Sequence, residues 1–176
     1  LHHWMNAIRQ SNNPMRTLDA FWRGQIQSKE WLIDSLEFVI HPYVNKKSLT
    51  IEIHGGWVGV LASMLFQSKL NIDRIISVDI DPYCQHVAEE MNRIEHSGGR
   101  FRAEIGDMTN RYPVTNIVIN TSFEHITQEQ YDKEFPKPPE KFQEKFWEWF
   151  DKVGIKSLHR IGIIGGEPLI KIGRAH

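Results

Sequence analysis

The chain has 176 residues, 40% hydrophobic and 24% charged, which suits one globular domain with a real core. A net charge of −1 lacks the basic excess that marks an electrostatic nucleic-acid surface, so a nucleic-acid partner is disfavoured. One cysteine, Cys84, excludes an internal disulfide and any multi-cysteine metal or cluster site, and the nine histidines show no ligand spacing, so no metal is expected. With no signal-like segment and no apolar run of bilayer length, no membrane partner is expected and a cytoplasmic setting is read.

In chain order, residues 1–44 read as an N-terminal helical segment. The polar Ser11-Asn12-Asn13-Pro14 interrupts any first helix. From 17 to 40 the apolar spacing is helical and predicts two short helices broken near Gln27-Ser28, with Trp22 and Trp31 read as core. His41-Pro42 should end the second, because a residue before proline is pushed out of the helical region. Leu49, Ile51 and Ile53 then form a short apolar run, mostly β-branched, suited to a buried parallel strand. Gly55, Gly56 and Gly59 allow a sharp turn and a close backbone approach, and residues 60–68 return to helical spacing. Residues 74–78 form a second strand, with Asp79 and Asp81 at its end. Backbone donors for a charged group beside carboxylates for hydroxyls suit a nucleoside, although a glycine-rich turn also serves as a plain strand-to-helix connection.

Pro82 suits the first turn of a helix over 83–94, where Cys84, Val87, Ala88 and Met91 share a face. Gly98-Gly99 makes a turn. Residues 101–105 alternate as a strand nearer the sheet edge and end at Gly106-Asp107-Met108. A fourth strand, 116–120, leads into Thr121-Ser122-Phe123-Glu124-His125.

The stretch 50–82 resembles the first two motifs of the class I S-adenosylmethionine-dependent methyltransferases. That family's first motif begins with an acidic residue followed by glycines at alternate positions. Glu52 supplies the acid and Gly56 the middle glycine, whereas His54 and Val58 stand where the outer glycines are expected and Gly59 falls one step late. The resemblance, over 45–130, implies an α/β Rossmann-like doubly wound fold with a mostly parallel sheet and helices on both faces. It implies S-adenosylmethionine as cofactor, its methionine end held by Glu52, Gly55, Gly56 and Gly59. Asp79 or Asp81 would take the ribose and Asp107 with Met108 the adenine, though an Asp at 107 equally suits a cap. Asn120, Ser122, Glu124 and His125 would face the methyl group. His125 is suited to accept a proton from the acceptor, with Glu124 beside it, although the same pair also suits the opening of a helix. The acceptor is expected to be a small molecule, and no oligomeric state is legible. A nicotinamide-dependent oxidoreductase is disfavoured by the glycine spacing and by Asp107; a non-catalytic binding module is favoured by His54 and Val58.

Residues 131–171 differ in character. A proline-rich break at 135–139 precedes an aromatic amphipathic helix over 140–153, then a short strand at 159–164 and Gly165-Gly166-Glu167-Pro168. That ending resembles the GGEP motif of radical S-adenosylmethionine enzymes, without the three cysteines their iron–sulfur cluster requires. Either the segment supplies a fifth strand, or it is a foreign piece and the chain a chimera. Residues 172–176 read as an encoded sequencing adapter and are set apart from the fold. With Leu1 in place of a methionine and four legible strands where the family carries seven, a truncated enzyme is expected.

Overall fold

A computed structural model describes residues 2–40, 48–111, 115, 117–122, 127 and 129. Four strands, β1 (Leu49–His54), β2 (Ile72–Asp79), β3 (Phe101–Ile105) and β4 (Ile117–Asn120), pair in parallel in the order β3-β2-β1-β4. Helices α1 (His2–Gln10), α2 (Pro14–Asp19) and α3 (Arg23–Ile40) precede β1; α4 (Val60–Phe66) joins β1 to β2; α5 (Pro82–Met91) and α6 (Arg93–Ser97) join β2 to β3. This is the α/β, Rossmann-like arrangement expected, with β3 at the edge. The fifth strand, the aromatic helix and the GGEP stretch lie outside the described residues.

Strand register sorts the side chains into two faces of different chemistry. Ile51 pairs with Ile75, which pairs with Phe101, and Ile53 pairs with Ile119. These side chains form one face, packed with Leu32, Ile33 and Leu36 of α3, Leu61, Ala62 and Leu65 of α4, and Ala88 of α5. Burial of each such side chain contributes about 1.5–3 kcal/mol, so this face supplies most of the cohesion. On the other face, Asn120, His54, Val78 and Glu104 form one row and Val118, Glu52, Ile76 and Arg102 the next.

The N-terminal helices follow the sequence with one correction. Asn13 caps α2 by accepting from the Arg16 amide, and Pro14 occupies its first turn. The break predicted near Gln27-Ser28 is absent, because the Ser28 hydroxyl bonds to the Gln25 carbonyl three residues back and α3 runs through. The chain turns earlier, between Asp19 and Arg23, where Ala20 is buried and Trp22 is 74% exposed rather than core. Trp31 does pack against the core.

The helix expected over 83–94 ends at Met91, with Cys84, Val87, Ala88 and Met91 buried as read. Asn92 ends it. Its buried amide donates to the Gly59 and Ala88 carbonyls and accepts from the Ser63 hydroxyl, tying the end of α5 to the start of α4. Gly59 lies at φ 79, and a Cβ there would stand 2.6 Å from the Asn92 amide nitrogen and 3.1 Å from the Ala88 Cα. Gly99 has φ 73 with nothing within 4 Å. Gly99→Ala therefore measures left-handed strain alone, about 1–2 kcal/mol, and Gly59→Ala should cost about 1–3 kcal/mol more through overpacking. Urea unfolding of the two variants checks the difference; equal losses would remove the packing account.

Candidate functional site

The carboxyl ends of the strands lie in a row. From β2 to β3 the chain steps outward on one side of β1, and β4 then lies on the other. A crevice opens at such a reversal, at the carboxyl edge. Along that edge stand Asp107 just after β3, Asp79 at the end of β2, the loop 55–59 after β1, and Asn120 with Ser122 at the end of β4.

The loop is folded onto its own chain. The Gly55 and Gly56 amides both donate to the Val78 carbonyl at 2.8 and 3.2 Å, and the Gly59 amide donates to Gly56. Trp57 adopts φ 48, a conformation side chains avoid. Its amide donates to Asp79 Oδ2 at 2.9 Å, and its side chain packs against the buried cluster that holds Ala7, Val60, Val87 and Met91. The amides of the three glycines expected to face a ligand, and that of Trp57, thus have partners within the chain. Gly55, at φ 69, is required for the same reason: a Cβ there would stand 1.8 Å from the Ser122 hydroxyl.

The two carboxylates of the Asp-Ile-Asp-Pro turn divide their tasks. Asp79, half-buried, accepts from Trp57 through Oδ2 and from the Asp81 amide through Oδ1 at 3.0 Å, joining the loop to the next turn. A carboxylate has about four acceptor sites, so capacity is left. Asp81 caps α5 by accepting from the Tyr83 amide and pairs with Arg16 at 2.6 Å. The Tyr83 amide first, and Arg16 second, hold the Asp81 carboxyl below its ordinary range. Arg16 also lies over the Tyr83 ring, whose hydroxyl reaches the Thr17 hydroxyl and the Asn13 carbonyl. So α2 is fastened to this corner. Between the two carboxylates Ile80 is 71% exposed, an apolar ledge at the edge.

Asp107 is exposed and caps the short turn Met108–Asn110, Oδ1 accepting from the Thr109 amide and hydroxyl. Those bonds lower its carboxyl pKa. Met108 is half-buried in the turn.

Beneath the loop, on the polar face, Glu52 is buried. Its Oε1 receives His54 Nε2 at 2.9 Å and Arg111 Nε at 2.8 Å, and Arg111 reaches on to Glu104 at 2.8 Å. Burial pushes the Glu52 carboxyl up, but the His54 and Arg111 contacts outweigh it and the net shift is downward. The Glu52 pair bonds lie inside the fold rather than at the open edge. At the end of β4, Asn120 is 3% exposed; its Oδ1 accepts from the Ser122 amide at 2.9 Å, and its Nδ2 has no partner among the described residues. A buried donor thus ends β4, two strands away from the Asp79 carboxylate that ends β2. Glu124 and His125 lie outside the described residues.

No protein-family pattern matches the chain, nor does any curated protein. Solved structures do match. One is magnesium protoporphyrin IX methyltransferase from Synechocystis PCC 6803, at 15% identity over 76% of this chain and 58% of that one, TM-score 0.49. A second is geranyl diphosphate methyltransferase, at 13% identity over 62% and 39%, TM-score 0.49. A third is a candidate RNA methyltransferase from Pyrococcus horikoshii, at 22% identity over 66% and 67%, TM-score 0.43. The chain thus spans between about a third and two thirds of the length of many of the structures it matches. Among the described residues, no helix is long and apolar enough to cross a membrane and no cluster of three acidic, His or Cys side chains could hold a metal.

Arg111, Ile80 and the Arg16–Tyr83 latch were not legible in the sequence. Arg111 stands 59 residues from Glu52, and no local pattern joins them. Its charge makes Glu52 a titrating element of stability. Because the folded pKa of Glu52 is lowered, its contribution is complete above the unfolded value of ~4.3 and is lost as pH falls through the lower folded value. Glu52→Gln should cost about 1.5–3 kcal/mol at pH 7 and should flatten the acid limb. Chemical denaturation from pH 7 down to 3 checks this, and an unchanged slope below pH 5 would count against it.

Proposed function

We propose that this chain binds S-adenosylmethionine along the carboxyl edge and transfers its methyl group to an acceptor, most simply a small molecule. The observation that carries the reading is the order of chemical groups along that edge. An apolar ledge and a capped carboxylate lie toward β3, a carboxylate with free acceptor sites ends β2, a tight glycine loop follows β1, and a buried donor ends β4. Base, ribose, sulfonium and amino acid follow one another in the same order along the cofactor.

On this reading Asp79 takes the ribose hydroxyls, since Asp81 is committed to Arg16 and the helix cap. Ile80 and Met108 flank the adenine, with Asp107 as acceptor for its amino group. Gly55, Gly56 and Gly59 keep the loop low enough for the sulfonium to pass over it, while Glu52 acts from below through His54 and Arg111. Asn120 and Ser122 close the amino-acid end. The bound sulfonium supplies an activated methyl with a neutral thioether leaving group, so the protein's task is mainly alignment of the nucleophile. Glu124 and His125, which follow β4 in sequence, are the proposed acceptors of a proton from the methyl acceptor.

Calorimetric titration tests this. S-adenosylmethionine and S-adenosylhomocysteine should bind with micromolar affinity, about −8 kcal/mol, and NADH should not. Asp79→Asn, which retains an acceptor for one of its two amides, should weaken both adenosyl ligands about tenfold or more. Folded protein that ignores both adenosyl ligands would leave a non-catalytic module, a reading to which the engaged loop amides would then lend support.

A further inference from the structure

We infer that Arg111 is a positioning residue for base recognition. It fixes the turn at 107–110 against the sheet and thereby sets how well the site tells an amino from an oxo group on a purine. This rests on the cofactor reading above, in which Asp107 accepts from the adenine amino group, and it adds a residue that touches no ligand. The Asp107 carboxylate is held within its own turn. Its Oδ1 accepts from the Thr109 amide and hydroxyl, and Asn110 Nδ2 stands 3.4 Å from its Oδ2. The carboxylate therefore goes where the turn goes, and what fixes the turn fixes the acceptor.

Arg111 closes that turn and fastens it. Its amide donates to the Met108 carbonyl at 3.3 Å, while its side chain reaches back to the polar face of the sheet. Nη1 donates to Glu104 on β3 and Nε to Glu52 on β1, each at 2.8 Å, so one planar group bridges strands two apart. Two bonds from a rigid fork set orientation as well as distance, which a flexible ammonium cannot do. The guanidinium side chain is only 25% exposed, and charge pairs so placed are screened less by salt than those at an open surface. At the other end of the turn, the Gly106 amide donates to the Asp79 carbonyl at 2.9 Å. The turn is thus tied on one side to the residue proposed for the ribose and on the other to the strand that leads into the glycine loop. A carboxylate accepts from an amino group but repels an oxo group. That contrast lasts only while the carboxylate is held within hydrogen-bond reach of the base.

The test compares, by calorimetric titration, S-adenosylhomocysteine with S-inosylhomocysteine, which carries an oxo group in place of the adenine amino group. Wild-type protein should bind the adenosyl ligand about 30-fold more tightly. Arg111→Met should weaken the adenosyl ligand about tenfold and leave the inosyl ligand within about threefold. Arg111→Lys, which can hold one carboxylate but cannot bridge two, should give a ratio between those of wild type and Arg111→Met. Glu104→Ala leaves the buried Glu52 paired with Arg111 and serves if the methionine variant does not fold; it should lower the ratio about threefold. Parallel losses of both ligands, an unchanged ratio in the folded variants, or equal wild-type affinities would overturn the inference and leave the cofactor reading standing. Binding of neither ligand by folded wild-type protein would overturn both.

Discussion

A buried carboxylate organises the lower half of the site. Glu52 is nearly inaccessible, on the central strand of a parallel sheet, and a charge so placed must be matched within the fold. His54 on the same strand and Arg111 on the β3–β4 connection match it, and Arg111 carries the network on to Glu104. The Arg111 guanidinium therefore anchors the start of the connection between the outer strand and β4 to the middle of the sheet. Ile51 and Ile53 of the same strand face the other way, into the helices. Alternation along one strand thus separates the face that supplies cohesion from the face that supplies electrostatics.

Above this layer, Asp79 joins two loops. It accepts from the Trp57 amide in one and the Asp81 amide in the other, so a single carboxylate registers the glycine loop against the corner that begins α5. Trp57 tolerates its left-handed backbone because both its amide and its ring are engaged. Trp57 packs against the same buried cluster as Trp4, Phe21 and Ile26, and Tyr83 at the α5 corner meets Asn13, Arg16 and Thr17. The N-terminal helices thus rest on the two loops that make the candidate site, and their packing helps hold both in place.

Much of this was legible from the residues, because strands, caps and tight turns are local matters. Apolar runs located three of the described strands and alternation at 101–105 the fourth, the apolar face of α5 was read residue by residue, and Pro82 marked its first turn. What was misread depended on tertiary packing. Ser28 looked like a breaker until its hydroxyl found a carbonyl within the helix, and Trp22 looked like core until the chain turned it outward. Arg111 had no local signature, since its partner lies on a strand far away in sequence. The glycines were singled out for a sharp turn and a close backbone approach, and Gly55 and Gly59 make that approach to Ser122, Asn92 and Ala88 of the same chain.

That last difference bears on how the edge can recognise anything. A loop whose amides already hold the sheet and an Asp carboxylate is rigid, yet it has given up the donors that make glycine turns good anion sites. His54 in a glycine position belongs to the same arrangement, because its side chain fills the space beneath the loop and completes the Glu52 network. Rigidity and donor supply are in competition here, and this chain has favoured rigidity. At the end of β4, Asn120 anchors its own exit by accepting the Ser122 amide through its carboxamide oxygen.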